Sequence, residues 1–360
     1  MQGRYRTLRL EPDGALAVLD QRILPFKEAW VRVENAAECV EAIADMTVRG
    51  AGVIGDVAAF GVYLASKECD GDLACIEAKA AAIRASRPTA VNLMWAVDRM
   101  VQTARSCPKE ERTERLREEA IAICDEDAAR SRKIGEHGAK IIEQIAESKG
   151  GGRVEILTHC NAGWLAIVDD GSALAPVYEA ARRGIDLHLW VDETRPRNQG
   201  ANLTAWELQR SGIPHTVIAD NTGGHLMQRG MVDLCITGAD RVSRNGDAAN
   251  KIGTYLKALA AADNDIPFYI ALPASTFDFS ILDGVRQIPI EERGEEEVAF
   301  IRGLDEEGRY RQVRIVPEGS PALNIGFDVT PARLITGLVT ERGVCKAERS
   351  AIETMFSDLL

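Results

Sequence analysis

The sequence has no apolar run of the roughly 18 residues that a membrane span requires, and its first residues, MQGRYRTLRL, hold no signal-peptide core. A cytoplasmic protein without membrane attachment is therefore expected. Basic residues are not in excess: 43 lysines and arginines face 55 aspartates and glutamates, a net charge of -12. This balance argues against a nucleic-acid surface, so no nucleic-acid partner is expected. The eight cysteines form no CxxC pair, which disfavours both a zinc site and a disulfide framework. Reduced, mostly buried thiols are expected instead. The five histidines show no HxxxH or HxH spacing, and no GxSxG elbow occurs. Neither a metal, nor a cofactor, nor a serine-hydrolase triad is indicated.

What is present is enough chain for two domains. With 360 residues, 46% hydrophobic and 27% charged, each can bury a core of its own. Residues 5 to 34 alternate apolar and polar around Pro12-Asp13-Gly14, the pattern of a hairpin followed by a strand near Ala29 to Val33. Asn35 caps a helix through Met46. The segment RGAGVIGDVAAFGVYLA, residues 49 to 65, reads first as a helix packed closely against a neighbour, and alternatively as a helix start with free N–H groups. A further helix runs from Arg87 to about Arg105, with Pro88 at its first position. From Lys109 to Lys149 the chain favours one or two long helices, with Leu116, Ile121, Ile134, Ile141, Ile142 and Ile145 as the apolar positions. Gly150-Gly151-Gly152 marks the boundary. This gives residues 1–150 as a smaller, mainly helical domain with a short β-hairpin, and residues 151–360 as the larger one.

Beyond the boundary, short strands alternate with helices. Strands are expected at Val154–Leu157, Asp186–Val191, Thr216–Ala219, Val232–Thr237 and Pro267–Leu272, with helices near Ala173–Arg183, Thr204–Ser211, His225–Arg229 and Ala248–Ala261. The fold class is α/β, a Rossmann-like doubly wound parallel sheet, which collects ligands at its strands' carboxyl ends. Four of those ends carry polar groups and small residues: THCNAG (158–163), DETRPRNQG (192–200), DNTGGH (220–225) and GAD (238–240). Together they predict one site. Cys160 at the first end is a candidate thiolate nucleophile or base, with buried packing as the bland role, and Asp240 at the fourth is a titratable acid or a turn cap. His159 and His225 read as orienting or capping residues. After Asn245-Gly246-Asp247 a helix is expected from Ala248, with Asn250 and Lys251 in its opening turns, where an anion such as phosphate is stabilised.

Arg49-Gly50-Ala51, RPTAVNL (87–93), ILTHCNAG (156–163), ETRPRNQGANLTAWEL (193–208), GADRVSRNGDAANKIGTY (238–255), IPIEER (288–293) and FDVTPARLIT (327–336) resemble, in order, the methylthioribose-1-phosphate isomerase family. Its wider superfamily includes ribose-1,5-bisphosphate isomerase and regulatory subunits of a translation initiation exchange factor. The resemblance implies a homodimer that turns an aldose 1-phosphate of methionine salvage into a ketose 1-phosphate. It implies Cys160 and Asp240 as the catalytic pair, with the sugar phosphate held by Arg49, Gly50, Ala51, Arg87, Gln199, Asn250 and Lys251. The chain departs from the family pattern at Gly52-Val53, Trp164, 167–175, 222–225 and 300–312, positions that bear on the sugar's 5-substituent. The alternatives are a 5-deoxyribose 1-phosphate or ribose 1,5-bisphosphate isomerase and, from another class, a regulatory nucleotide-binding subunit.

Overall fold

The computed structural model describes residues 7–87 and 90–360. The N-terminal part opens with three antiparallel strands, β1 (Leu8–Leu10), β2 (Leu16–Leu19) and β3 (Trp30–Val33), in that order. Register pairs Leu8 with Val18 and Leu16 with Val33, so these four apolar side chains share one buried face. Asn35 accepts a hydrogen bond from the N–H of Glu38 and caps α1 (Ala36–Ala44), as its sequence position implied. Next come α2 (Ala51–Glu68), α3 (Leu73–Ala85), α4 (Val91–Ser106) and α5 (Lys109–Ser148). The reading of Pro88 as a helix start falls outside the described residues.

Nearly all of α2 is buried, from Gly52 through Ser66, because glycine and alanine let α1, α3, α4 and α5 approach it from all sides. The expectation of eight reduced cysteines is corrected here. Cys69 and Cys75 form a disulfide, since the turn through Asp70 and Gly71, both at positive φ, folds the chain back and brings their Cα atoms to 5.8 Å. Asp70-Gly71 signals the turn, but no motif spacing marks the two cysteines as partners.

The stretch expected as one or two helices is a single helix, α5, of 40 residues and about 60 Å. Its first half contributes Leu116, Ala120, Ile123 and Ala128 to the N-terminal core, and its second half contributes Ile134, Ala139 and Ile142 to the core under the large sheet. One element therefore belongs to both.

The large sheet has seven strands: β4 (Val154–Thr158), β5 (Leu187–Asp192), β6 (His215–Ile218), β7 (Leu234–Thr237), β10 (Phe268–Ala271), β17 (Gly337–Thr340) and β18 (Gly343–Cys345), ordered β18-β17-β10-β7-β4-β5-β6. All pairs are parallel except the β17–β18 edge. Both faces are covered, which is why the strands read as apolar runs. Ile156, Leu189 and Ile236 face α5 and α6 (Ala175–Arg182), together with Leu208 of α7 (Ala205–Arg210). Leu157, Cys235 and Ile270 face the opposite layer, α8 (Thr222–Gln228), α9 (Thr254–Asp263) and α12 (Arg349–Met355). The chain fills one side of β4 with β5 and β6, then crosses to its other side for β7, β10 and β17. The strand order thus reverses between β4 and β7.

A second sheet, β11-β8-β9-β16, joins β8 (Arg241–Ser243), β9 (Ala248–Lys251), β11 (Phe277–Asp278) and β16 (Phe327–Thr330). This corrects the helix expected from Ala248. Residues 248–251 pair antiparallel with 327–330, a partner 76 positions away in the Lys251–Phe327 pair, and the helix begins only at Thr254. Two small elements, α10 (Gly284–Gln287) and α11 (Glu296–Ala299), flank a ribbon of β12 (Glu292–Arg293) with β15 (Asn324–Ile325). The atypical segment 300–312 lies in a hairpin of β13 (Phe300–Leu304) and β14 (Tyr310–Arg314).

Candidate active site

Cys160 follows β4 and Asp240 follows β7, so the two stand on either side of the reversal point, where open α/β sheets have their crevice. Cys160 has φ +66°, a left-handed conformation that a side chain disfavours. It is held there from both sides: its N–H donates to the Thr194 hydroxyl at 2.8 Å, and its carbonyl accepts from the Thr204 hydroxyl at 2.7 Å. The buried thiol donates to Oε1 of Gln199 at 3.3 Å. Burial pushes this thiol up, while the charges of Arg49 and Lys251 draw it back. Asp240 opens partly onto the cleft, and its enclosed surroundings push its carboxyl up as well, against Lys251, Arg87 and Arg49.

The cations come from three separate places in the chain. Arg49 precedes α2 and donates to the Asn161 side-chain oxygen and, at 2.8 Å, to the Asn161 carbonyl. Gly50 has φ +93°, and a Cβ there would lie 2.5 Å from Cα of Ala166, so only glycine permits this approach. Gly50 and Ala51 line the cleft at the start of the 18-residue α2, which no side chain caps and where the Val53 N–H donates to the Ala166 carbonyl at 3.0 Å; its positive end favours an anion. Lys251, on β9, is 9% exposed and stacks 4.2 Å over the ring of Phe327; burial pushes its ammonium down. Its neighbour Asn250 donates to the Thr254 hydroxyl at 2.9 Å. Arg87 sits 3.8 Å from Glu291 and is likewise pushed down by burial.

One cleft is lined by all nine residues singled out in the sequence: Arg49, Gly50, Ala51, Arg87, Cys160, Gln199, Asp240, Asn250 and Lys251. Two parts of the sequence reading are corrected. Asn250 and Lys251 reach the cleft from a strand, while the amide groups at the start of α9 are taken by Asp328, which accepts from Gly253 at 2.7 Å and Tyr255 at 3.1 Å. The helix start that meets the cleft is that of α2, the reading given second place above. Its Gly50, Gly52 and Gly55 also spell GxGxxG, which corrects the expectation that this spacing is absent from the sequence. It follows α1 and a loop, without the preceding sheet strand of a dinucleotide fingerprint.

The third strand end does not line the cleft either. Asp220 instead accepts from the N–H groups of Thr194 at 2.6 Å and Arg195 at 2.7 Å, supporting the loop that carries Gln199. Arg197 and Asn161 line the cleft and were not singled out, although both lie within quoted motifs. Arg197 and Arg293 are both tied to Glu297; burial opposes this carboxylate's charge, but the two guanidinium groups outweigh it and hold the group at about 2. Behind Cys160, the His159 ring bonds Asp192 at 2.9 Å and the Ile252 carbonyl at 2.8 Å, the orienting role read from sequence. His225 lies exposed on α8. His159, Asp192 and Asp220 bring donor atoms within 4.8 Å of one another, enough to hold a metal ion, but the Lys257 ammonium stands 3.1 Å from Asp192 and supplies positive charge there.

A doubly wound sheet with a polar, cation-lined crevice at its reversal point, joined to a helical N-terminal part, defines the class as a Rossmann-like α/β protein. Comparison places it more closely. The model of the Initiation factor 2 subunit family matches residues 47–347. The methylthioribose-1-phosphate isomerase of Sulfurimonas denitrificans is 60% identical over 359 residues, 99% of each chain, and that of Methylorubrum extorquens is 55% identical over 355 residues, covering 98% of this chain and 97% of the relative. Among solved structures, 5-methylthioribose 1-phosphate isomerase of Pyrococcus horikoshii OT3 superposes with a TM-score of 0.84 at 37% identity, covering 99% of this chain and all of that one. The translation initiation factor eIF-2B subunit delta of A. fulgidus gives 0.81 at 35% identity, covering 98% and 99%. The chain belongs to the initiation factor 2 subunit family and, within it, to the methylthioribose-1-phosphate isomerases. Among the described residues no helix is long and apolar enough to cross a membrane.

Proposed function

We propose that this protein is an aldose–ketose isomerase that converts 5-methylthioribose 1-phosphate into 5-methylthioribulose 1-phosphate. The observation that carries the reading is the convergence in one cleft of a thiol, a carboxyl and three buried or half-buried cations beside a helix start. Arg49, Gly50, Ala51, Arg87, Gln199, Asn250 and Lys251 hold the sugar phosphate. Asp240, its carboxyl raised by burial, is the general acid. It gives its proton to the ring oxygen as the bond from that oxygen to C1 breaks, while Cys160 as thiolate takes the proton from C2. A C1=C2 double bond forms, with phosphate on C1 and hydroxyl on C2. The thiol returns its proton to C1, the C2 hydroxyl proton passes to the Asp240 carboxylate, and the ketone forms with both groups restored.

A second reading is favoured by one observation. Burial and the bond to Gln199 keep the Cys160 thiol protonated, which suits a hydride passing from C2 to C1 after Asp240 opens the ring. A 5-phosphate on the sugar needs further free cations near the site. Of the arginines lining the adjoining cavity, Arg197 and Arg293 are committed to Glu297 and Arg22 to Asp20 and Asp45, while Arg302 lies exposed on the hairpin and bonds Gln312, and this supports the apolar methylthio substituent over a bisphosphate. The same reading takes residues 1–150 and 151–360 as two domains, and the protein as a cytoplasmic homodimer with no nucleic-acid or membrane partner.

Proton NMR in deuterated water, with methylthioribose 1-phosphate, 5-deoxyribose 1-phosphate and ribose 1,5-bisphosphate in parallel, tests it. Ketose from the first substrate is expected. Deuterium at C1 supports the proton route, ketose without deuterium supports hydride transfer, and no ketose from any of the three overturns the isomerase reading.

A further inference from the structure

Glu207, on the first turn of α7, is fully buried and outside the cleft lining, yet it ends a chain of hydrogen bonds that reaches the cleft. Its Oε1 accepts from Asn161 Nδ2 at 2.8 Å and the Leu165 N–H at 3.1 Å; its Oε2 accepts from the Trp164 N–H at 2.9 Å and the Tyr178 hydroxyl at 2.8 Å. These four partners are donors, so the acceptor-only carboxylate is the form that fits them. Space is reserved for it as well. A Cβ on Gly163 would lie 1.9 Å from Oε2, so any other residue there would displace the carboxylate.

The bond to Asn161 has a consequence on the far side of that amide. Asn161 Nδ2 is committed to Glu207 and, at 3.2 Å, to the Thr204 hydroxyl, which leaves Oδ1 facing Arg49. Were the amide turned over, its NH2 would meet the guanidinium and both groups would be donors. Thr204 in turn donates to the Cys160 carbonyl. The loop 160–165 is thereby fixed by one carboxylate that touches neither thiol nor cleft.

We propose that Glu207 is a positioning residue for anion binding. It sets which end of the Asn161 amide faces Arg49, and so holds the guanidinium in the cleft. The proposal rests on the isomerase reading above only for the identity of the anion. A purely structural carboxylate would affect stability and the active fraction but leave the affinity of the folded protein alone.

The test compares Glu207→Gln, Glu207→Asp and Tyr178→Phe in the full chain, by steady-state kinetics with methylthioribose 1-phosphate and by calorimetric titration with inorganic phosphate. Tyr178→Phe removes one donor from the same carboxylate and leaves Asn161 in place. Glu207→Gln is expected to raise KM and the phosphate Kd by about 10- to 100-fold, the value of a hydrogen bond to a charged group, with a smaller fall in kcat. Glu207→Asp should recover part of that loss, and Tyr178→Phe should stay within about twofold of wild type in both constants while losing thermal stability. Unchanged KM and Kd in Glu207→Gln, or an equal rise in Tyr178→Phe, overturns the proposal. Should Glu207→Gln fail to fold, Glu207→Asp against Tyr178→Phe decides on the same criteria. Wild-type protein that does not turn over the sugar phosphate defeats the functional reading, while the phosphate titration still judges Glu207.

Discussion

The Cys160 thiol donates to the Gln199 amide oxygen at 3.3 Å, joining the turn after β4 to the end of the loop after β5. Two residues 39 positions apart, beyond the ends of neighbouring strands, therefore meet at the sulfur. If that sulfur and the Asp240 carboxyl do the chemistry, Cys160→Ala and Asp240→Asn each lower kcat by at least about a hundredfold, within the range for a lost general acid or base. Circular dichroism should show both variants folded, and inorganic phosphate should still bind. Near-normal ketose formation by either variant takes that residue out of the mechanism.

The raised groups give a pH signature. The proton route needs Asp240 protonated and Cys160 ionised, and the thiol titrates above the carboxyl even though both are pushed up. The population with both in the required form is then constant between the two titrations and falls outside them. kcat/KM is expected to be flat in that interval, because the falling fraction of protonated Asp240 is offset by the rising fraction of thiolate, and this plateau should be lost in Cys160→Ser. The hydride route needs only the Asp240 proton, so kcat/KM would instead fall steadily once pH exceeds the Asp240 titration. A pH profile of wild type and Cys160→Ser separates the two.

Lys251 provides a third check. Burial pushes its ammonium down, so it loses its charge at a lower pH than an exposed lysine does. Phosphate affinity should weaken as pH rises through that point. Lys251→Met should bind phosphate about 10- to 100-fold more weakly at neutral pH, and its affinity should lose this alkaline dependence. Calorimetry across the alkaline range measures both effects, and a wild-type affinity with the same pH dependence in Lys251→Met would remove the lysine from the anion site.

The long helix α5 can be probed at each end. Leu116 and Ile142 are both fully buried, one in each core. Truncating either to alanine should cost about 2–5 kcal/mol, and the double variant should show the sum, since the two sites share no neighbours. Urea unfolding followed by circular dichroism gives these values.

Much of this architecture could be read directly from residue patterns. The parallel sheet was legible because strands buried on both faces, such as Ile156-Leu157, read as apolar runs between helical segments, and α5 because its apolar positions recur at helical spacing. The nine residues of the cleft were reached through motif resemblance combined with strand-end position. What failed depended on distant partners or on a local backbone conformation. Ala248–Lys251 looks helical locally and becomes a strand because it lies between Arg241–Ser243 on one side and Phe327–Thr330 on the other. The disulfide depended on a turn at Asp70-Gly71, and the role of Asp220 on the loop it supports. Glu207 carried no local signal, since an acidic residue in a helix reads as a solvated position until its four donors are seen.

Because α5 is continuous through both cores, the N-terminal helices and the large sheet cannot swing apart at a flexible joint along that path without breaking or bending its backbone hydrogen bonds. Melting α5 would strip both cores of a packed wall. The molecule should therefore lose its structure in one calorimetric transition, and substrate entry should depend on small movements of the loops around the cleft, with the frame itself staying fixed.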